Sequence, residues 1–459
     1  MSDAYRDYAD FAKLNHAMRV PLAAEMHSRP FLKLEAPEIL THFALYAPRD
    51  GTASANHRAT QHAILQELCQ HYGVAVPHPQ ARYFYHDFGR FRLKWECHTE
   101  FATYTFVEQG QGPTDWRHAF RNPPLRHVPQ EWLASLHGKI IVAAHVVLSN
   151  SEATQPADVT AMRELFQGNL VGSSVGHGGE IWTDFLIQPD GFSRFVVRDL
   201  ALRESQAGRL VGRLLEIETY RMMALLALPQ AEATQPALNA VENELAGLTA
   251  TLVQSDHDVS TTAVARDSKE EQQLLHRITS LAARVEELSV NNSYRFAAAQ
   301  AYFSLVQARI QELREVRIEG MPTLEEFMGR RLAPAMHTCT SVARRQEALA
   351  TRIARSNDLL RTRVGIEQER QNRKILQSLD TRSAQQLRLQ QAVEGLSVVA
   401  ISYYSLGLVG YAGKALKAAN LPVNPDMLTG LMVPLVMAGV WLFLRKLHKQ
   451  LHTAGPARH

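Results

Sequence analysis

Carboxylates and an imidazole recur at every second residue within Arg92 to Val107 (RLKWECHTEFATYTFV), and this spacing is the most suggestive chemistry in the chain. The stretch is rich in β-branched and aromatic residues and reads as one long strand. Alternate side chains of a strand share a face, so Lys94, Glu96, His98 and Glu100 stand together while Trp95, Cys97 and Phe101 point the other way. Glu96, His98 and Glu100 are therefore candidate ligands for a divalent cation, or a carboxylate and imidazole set for proton transfer. Three groups spaced two apart on one strand converge poorly on a single ion, and a solvated, salt-bridged sheet face satisfies the same pattern.

Two further spots carry titratable groups. Glu25, His27 and Arg29 sit in AAEMHSRPF, and His177 sits in the glycine-rich stretch Gly172 to Gly179 (GSSVGHGG). The latter lacks both GxxxxGK[ST] and GxGxxG, so it reads as a flexible connection rather than a phosphate cradle. No GxSxG, HExxH or kinase signature occurs in the sequence, and no catalytic residue is assigned.

The elements that would hold these residues are an α+β region followed by long helices. Asn56 to Tyr72 reads as a helix, Lys139 to Leu148 as a buried strand, and Ile181 to Gln188 with Phe192 to Val197 as a hairpin about Pro189-Asp190-Gly191. Residues 1–200 thus form an α+β domain with a mixed or largely antiparallel sheet. Ser205 to Leu228 is a helix whose apolar second half should be buried, with Glu216, Glu218 and Arg221 as ion-paired residues. Within 201–340, Ser268 to Val316 has a coiled-coil-like seam, Leu274, Ile278, Leu281, Val285 and Leu288, which resumes from Asn292 to Leu313 after a four-residue stutter. A stalk helix, 341–394, begins near Pro334 or Ser341, with Val342, Ile353, Val364 and Ile375 eleven apart. Between Ser341 and Gln390 it carries eleven Lys/Arg against five Asp/Glu, a surface suited to anionic lipid, an acidic protein partner or plain solvent.

At 459 residues, 46% hydrophobic and 21% charged, the chain can bury a real core, and a net charge of +3 is too weak to suggest nucleic acid. Cys69, Cys97 and Cys339 form no CxxC pattern, which fits a reducing compartment. Met1 to Lys13 lacks the basic and apolar regions of a secretory signal. Toward the other end, Gly395 to Gly413 runs without a charge, close to the roughly 20 residues that cross a bilayer, and Met427 to Leu444 follows as a second span. The two spans predict a transmembrane hairpin. Arg382 and Arg388 before it and Arg445, Lys446 and Lys449 after it, against Lys414 and Lys417 in the loop, place both termini and the 445–459 tail in the cytoplasm. Gly395, Ser402, Tyr404, Gly407 and Gly410 mark a face of the first span for helix packing or pore lining. Pro434 should kink the second.

Gln386 to Tyr411 (QLRLQQAVEGLSVVAISYYSLGLVGY), Arg213 to Pro229, Phe91 to Phe106 and Glu25 to Phe31 resemble a bacterial family of predicted membrane-anchored proteins, the domain of unknown function DUF3422. That resemblance implies location in the inner membrane and architecture, with no activity attached. The plan also resembles CorA-type magnesium channels, which would imply an oligomer with the first span at its centre. Where those channels end that span in Gly-Met-Asn, this chain reads Gly410-Tyr411-Ala412-Gly413-Lys414, and Lys414 and Lys417 near the mouth would repel cations. The expected function is a membrane-anchored, homo-oligomeric structural or regulatory module facing the cytoplasm. A CorA-like divalent-cation transporter and a metal-dependent enzyme are the alternatives.

Overall fold

Period-two patterning in the first 200 residues produces eight strands of a sheet that has nine among the described residues. A computed structural model describes residues 14–26, 30–46, 53–110, 118–150, 159–176, 178–255, 264–418 and 424–453. Two compact units make up the chain: Met1–Val259 with His276–Ser356, and Ser260–Leu275 with Asn357–His459.

In the first unit a short helix α1 (Arg19–Met26) precedes β1 (Glu38–Tyr46), α2 (Ala53–His71) and the strands β2 (Tyr83–Asp87), β3 (Arg92–Cys97) and β4 (Phe101–Gln109). Then follow α3 (Gln130–Ser135), β5 (Ile140–Asn150), α4 (Val159–Leu165), β6 (Val171–Val175), β7 (Gly179–Thr183) and β8 (Ser193–Asp199). Three helices come next, α5 (Glu204–Leu225), α6 (Leu228–Ser255) and α7 (Val264–Leu313), the last with its residues up to Leu275 in the second unit, and β9 (Glu315–Arg317) returns to the sheet. The long helix α8 (Leu324–Ala418) includes residues of both units, and α9 (Pro425–Thr453) belongs to the second.

Strand order is β2-β3-β4-β1-β5-β8-β7-β6-β9. Among the described strands only β5 and β8 pair in parallel, because the chain between them makes a crossover rather than a hairpin. One sheet face, with Phe43, Trp95, Tyr104 and Phe106, buries a core against Leu65 and Leu68 of α2 and Trp132 of α3. The expected helix at 56–72 and strand at 139–148 are both present.

Three expectations change. Arg92 to Val107 is two strands, not one: His98, Thr99 and Glu100 turn the chain, with the His98 N–H donating to the Phe101 carbonyl at 2.8 Å. The glycine-rich stretch is the β6–β7 hairpin rather than a flexible connection. Gly172 sits where a Cβ would come within 2.6 Å of the Trp182 ring, and Gly178 has φ +93°. The third change concerns β9, which pairs with β6 after the long helices, so the sheet takes a strand from beyond residue 200.

The seam on α7 is buried at Ile278, Leu281, Val285, Phe296, Ala299, Val306 and Ile310. Polar ties also link the helices. Asn292 Nδ2 donates to Thr234 Oγ1 of α6 at 2.9 Å, and Arg345 of α8 pairs with Glu242 of α6 at 2.9 Å. A buried Asn fixes which rung faces which, since any slip leaves its amide without a partner. α8 starts ten residues before Pro334 because the Glu315 carboxylate accepts both the Leu324 and Glu325 N–H groups at 2.9 Å, beside the Thr323 cap on Glu326. Its stripe is buried at Val342, Leu349, Ile353 and Leu360, then fades to an exposed Ile375.

Glycines on α5 let the segment before β1 pass against the helix backbone. A Cβ on Gly208 would lie 1.6 Å from the Leu32 carbonyl oxygen, and one on Gly212 would lie 3.2 Å from the Phe31 ring. Gly208→Ala is expected to lower stability by about 1–3 kcal/mol, the cost of overpacking against backbone, with Gly212→Ala milder. Urea unfolding of the two variants checks the order, and equal stability of Gly208→Ala and wild type would disprove the contact.

Candidate functional site

Strand register decides which polar side chains meet on the second face of the sheet. His42 is directly opposite Thr105, and Thr105 is opposite Lys94, so Lys94, Thr105 and His42 form one row across three strands. Glu96 and Thr103 form the next row. Helix α5 covers these rows with Gly208, Gly212, Leu215, Glu216 and Thr219, and Arg309 of α7 completes a cavity of about 260 Å³.

Its charges are balanced. Lys94 Nζ lies 3.0 Å from Glu96, and Arg309 pairs with Glu216 and, at 2.8 Å, with Glu312. His42 is buried with both ring nitrogens engaged, Nδ1 with Thr105 Oγ1 at 2.9 Å and Nε2 with Thr219 Oγ1 at 3.2 Å. Burial, reinforced by the Lys94 charge, pushes its pKa down to about 3, so the ring is neutral at pH 7. A neutral imidazole with both nitrogens occupied positions hydroxyls better than it transfers protons. The cavity suits hydrogen bonding of a small polar molecule.

The predicted metal set does not assemble. Glu96 and His98 both line the cavity, with the His98 ring stacked on Phe101 at 4.4 Å. Glu100 lies on the turn instead, where its carboxylate accepts from Arg295 Nη1 at 2.9 Å and from the Tyr302 hydroxyl at 2.7 Å. The same turn moves Phe101 onto the cavity face, opposite to its position in a continuous strand. Among the described residues no three of His, Cys, Asp and Glu stand together as a metal site. The physical reason is that a buried carboxylate takes the strongest charge partner within reach, here a guanidinium from α7. His27, Arg29 and His177, and the side chain of Glu25, lie outside the described residues.

The face marked on the first apolar span also divides. Ser402 is buried, and a Cβ on Gly410 would meet Thr429 Oγ1 of α9 at 3.6 Å. Gly395, Tyr404 and Gly407 are exposed, so the five residues do not form one surface. The buried stripe is Ser402 with Gly413, three helical turns apart, and half-buried Leu406 and Val409 between them.

Sequence reasoning missed His42, Thr105, Thr219, Arg295, Tyr302 and Arg309. Only the LTHFALY pattern of β1 offered a hint, a His inside an otherwise apolar strand.

Two stability predictions follow from these partners. Arg295→Ala strands a buried carboxylate and should cost about 3–5 kcal/mol in denaturant unfolding, more than Glu244→Ala at an exposed pair. The second concerns acid. Burial also pushes His145 down to about 4. Unfolding returns both imidazoles to their ordinary value near 6.5, so below that pH the unfolded chain binds more protons than the folded one. Each histidine therefore removes stability as pH falls from about 6.5 through its folded value, at up to about 1.4 kcal/mol per pH unit. Glu38, raised to about 7 by burial against the pull of Arg92, acts in the opposite sense between pH 7 and 4.5. The comparison must thus be between proteins: urea midpoints of His42→Gln should fall less on acidification than those of wild type, and parallel curves would refute the assignment.

Comparison with known proteins adds a family and little more. No curated protein matches the chain. A solved structure titled "structure of the full-length CmaX protein" aligns at 12% identity over 67% of this chain and 89% of that chain, with a TM-score of 0.16, too low to support an argument. The likeness to CorA-type channels finds no support in these matches. A family profile described as "Protein of unknown function (DUF3422)" matches residues 14–451, which together with the resemblances at Phe91 to Phe106, Arg213 to Pro229 and Gln386 to Tyr411 establishes that the chain belongs to the DUF3422 family.

Proposed function

We propose that this protein is a membrane-anchored structural or regulatory module of the bacterial inner membrane, homo-oligomeric, with both termini on the cytoplasmic side. The observation that carries the reading is α8. It contains an 18-residue window of mean hydropathy 1.5 of which only 6% is buried, and by length and composition it can cross a membrane. Leu396, Val399, Tyr403, Tyr404, Leu408 and Tyr411 are 65–74% exposed. Covering each aliphatic side chain is worth about 1.5–3 kcal/mol, so such a surface is covered by lipid or by other chains rather than left in water.

Support for a second span comes from α9, whose segment Thr429–Phe443 is apolar, and from the approach of Gly410 to Thr429. Small residues at such a crossing allow helices in lipid to approach closely. Arg445 lies over the Trp441 ring at 5.0 Å, and Lys414 over Tyr411 at 5.8 Å. Aromatic and cationic pairs of this kind are typical anchors at the two interfaces. The exposed arginines Arg388 and Arg382 lie about two and about three and a half helical turns before Gly395, on the side of anionic headgroups.

The full chain is expected to stay in the membrane pellet through alkaline carbonate and to be released when residues 395–444 are deleted. A C-terminal fluorescent fusion should light up in the cytoplasm, and the detergent-extracted protein should be an oligomer. Recovery of the intact chain in the soluble fraction would end the anchoring reading. Proteoliposomes should show no divalent-cation flux; a flux altered by Ser402→Ala would replace the anchor with a transporter.

A further inference from the structure

Away from the polar cavity, two grooves of the first unit, of about 380 and 420 Å³, share Gly168, Asn169, Phe327 and Arg331 and so form one continuous trough. Three arginines border it: Arg163 on α4, and Arg330 and Arg331 on α8. All three are exposed, and no carboxylate among the described residues is ion-paired to them. The carboxylates that line the trough are already engaged. Asp184 accepts from the Gly168 and Leu186 N–H groups at 3.0 and 3.1 Å, and Glu326 pairs with Arg317. The fourth arginine, Arg221, is held by Glu218 at 2.7 Å. Asp184 has only neutral donors, so three unpaired guanidinium groups stand against one carboxylate and the net charge is positive.

The floor is apolar and built at a cost. Phe185 has φ +55°, a left-handed conformation that a bulky non-glycine residue seldom adopts and that costs on the order of 1–3 kcal/mol. Its N–H donates to Thr183 Oγ1 at 3.1 Å, its ring stacks on Phe327 at 4.9 Å, and the Arg221 guanidinium lies 5.3 Å from its centroid. The same backbone reversal ends β7 and turns the next two side chains outward: Leu186 is 44% exposed and Ile187 60%. An exposed aliphatic pair beside an aromatic shelf, rimmed by guanidinium groups without acidic partners, is the composition of a docking surface and not of a solvated one.

We propose that this trough docks an acidic peptide segment of a partner protein, one in which an apolar side chain lies between carboxylates. Charge complementarity identifies the occupant. The arginines stand on two helices at separate points along an elongated trough, which matches several carboxylates in a row better than a single phosphate, and guanidinium groups take carboxylates in paired hydrogen bonds. The aromatic shelf and Leu186 receive the apolar residue. Arginine rather than lysine at all three positions favours this directional pairing. The proposal does not depend on whether the C-terminal helices lie in a bilayer, since every residue in it belongs to the first unit.

The test is fluorescence anisotropy of a fluorescein-labelled nonapeptide of glutamates interrupted by one leucine and one phenylalanine, titrated with the full chain in detergent. Saturable binding is expected, weakened about tenfold or more by Arg330→Glu with Arg331→Glu, by serine in place of the two apolar peptide residues, and by raised salt. Arg330→Ala with Arg331→Ala should give an intermediate loss, and near-UV circular dichroism should be unchanged in both double variants. Arg361→Glu, on the basic part of α8 outside the trough, should leave binding intact. The proposal is overturned if the reversed double variant binds like wild type, or if no binding is seen at about millimolar protein. It is equally overturned if the reversal reduces co-sedimentation with phosphatidylglycerol vesicles while leaving the peptide affinity untouched, which would assign the arginines to lipid.

Discussion

A buried ion pair organises the first unit. Glu100, on the turn between β3 and β4, accepts two hydrogen bonds from the Arg295 guanidinium and a third from Tyr302, both on α7. Neither charge would be stable alone in that environment, so the hairpin turn and the helix must arrive together. The tyrosine shows the same constraint: burial and the hydrogen bond to Glu100 hold its hydroxyl pKa far above the ordinary value. Once α7 is pinned at residues 295 and 302, two later features follow along it. Arg309 reaches the polar cavity, and β9 emerges beside β6 to complete the sheet.

The cavity above His42 shows how a sheet face can be polar and still buried. Lys94, Glu96, Thr103 and Thr105 would read as a solvent face, yet α5 lies over them: Lys94 pairs with Glu96 of the next row, Thr105 meets His42 in its own, and His42 reaches Thr219 of the helix. The glycines at 208 and 212 permit this closeness by admitting the Phe31 and Leu32 segment against the helix backbone. Neutral His42, with a hydroxyl at each nitrogen, gives the enclosed face a polar centre without an uncompensated charge.

α8 carries two different surface patterns in one element. Near residue 350 its apolar stripe is narrow and buried among protein side chains; near residue 400 apolar residues surround it and most are exposed. A helix that is polar on all sides but one belongs against a protein core, and one that is apolar on all sides belongs in a larger apolar medium. Between the two lies the arginine-rich stretch, where i,i+3 and i,i+4 pairs such as Arg370 with Glu367 and Arg373 with Glu369 support an otherwise solvated helix.

Local pattern was enough for the elements with strong periodicity. The α7 seam, the strand at 140–150, the helix after Ala53 and the uncharged run after Gly395 are all legible because hydrophobic spacing, glycine placement and charge are properties of neighbouring residues. The site was only half legible: Lys94, Glu96 and His98 do share a surface, whereas Glu100 does not, because a three-residue turn invisible in a run of strand-forming residues changes its direction. Ser402 and Tyr404 separate for a similar reason, since which side of an apolar helix is covered depends on the helix beside it. What lay beyond the sequence was the set of partners far apart along the chain, His42 with Thr219, Glu100 with Arg295 and Gly208 with Leu32. Periodicity says which side of an element is buried. The choice of partner for each buried charge or glycine is made only when strands and helices pack, because only then does desolvation force every polar group to find one.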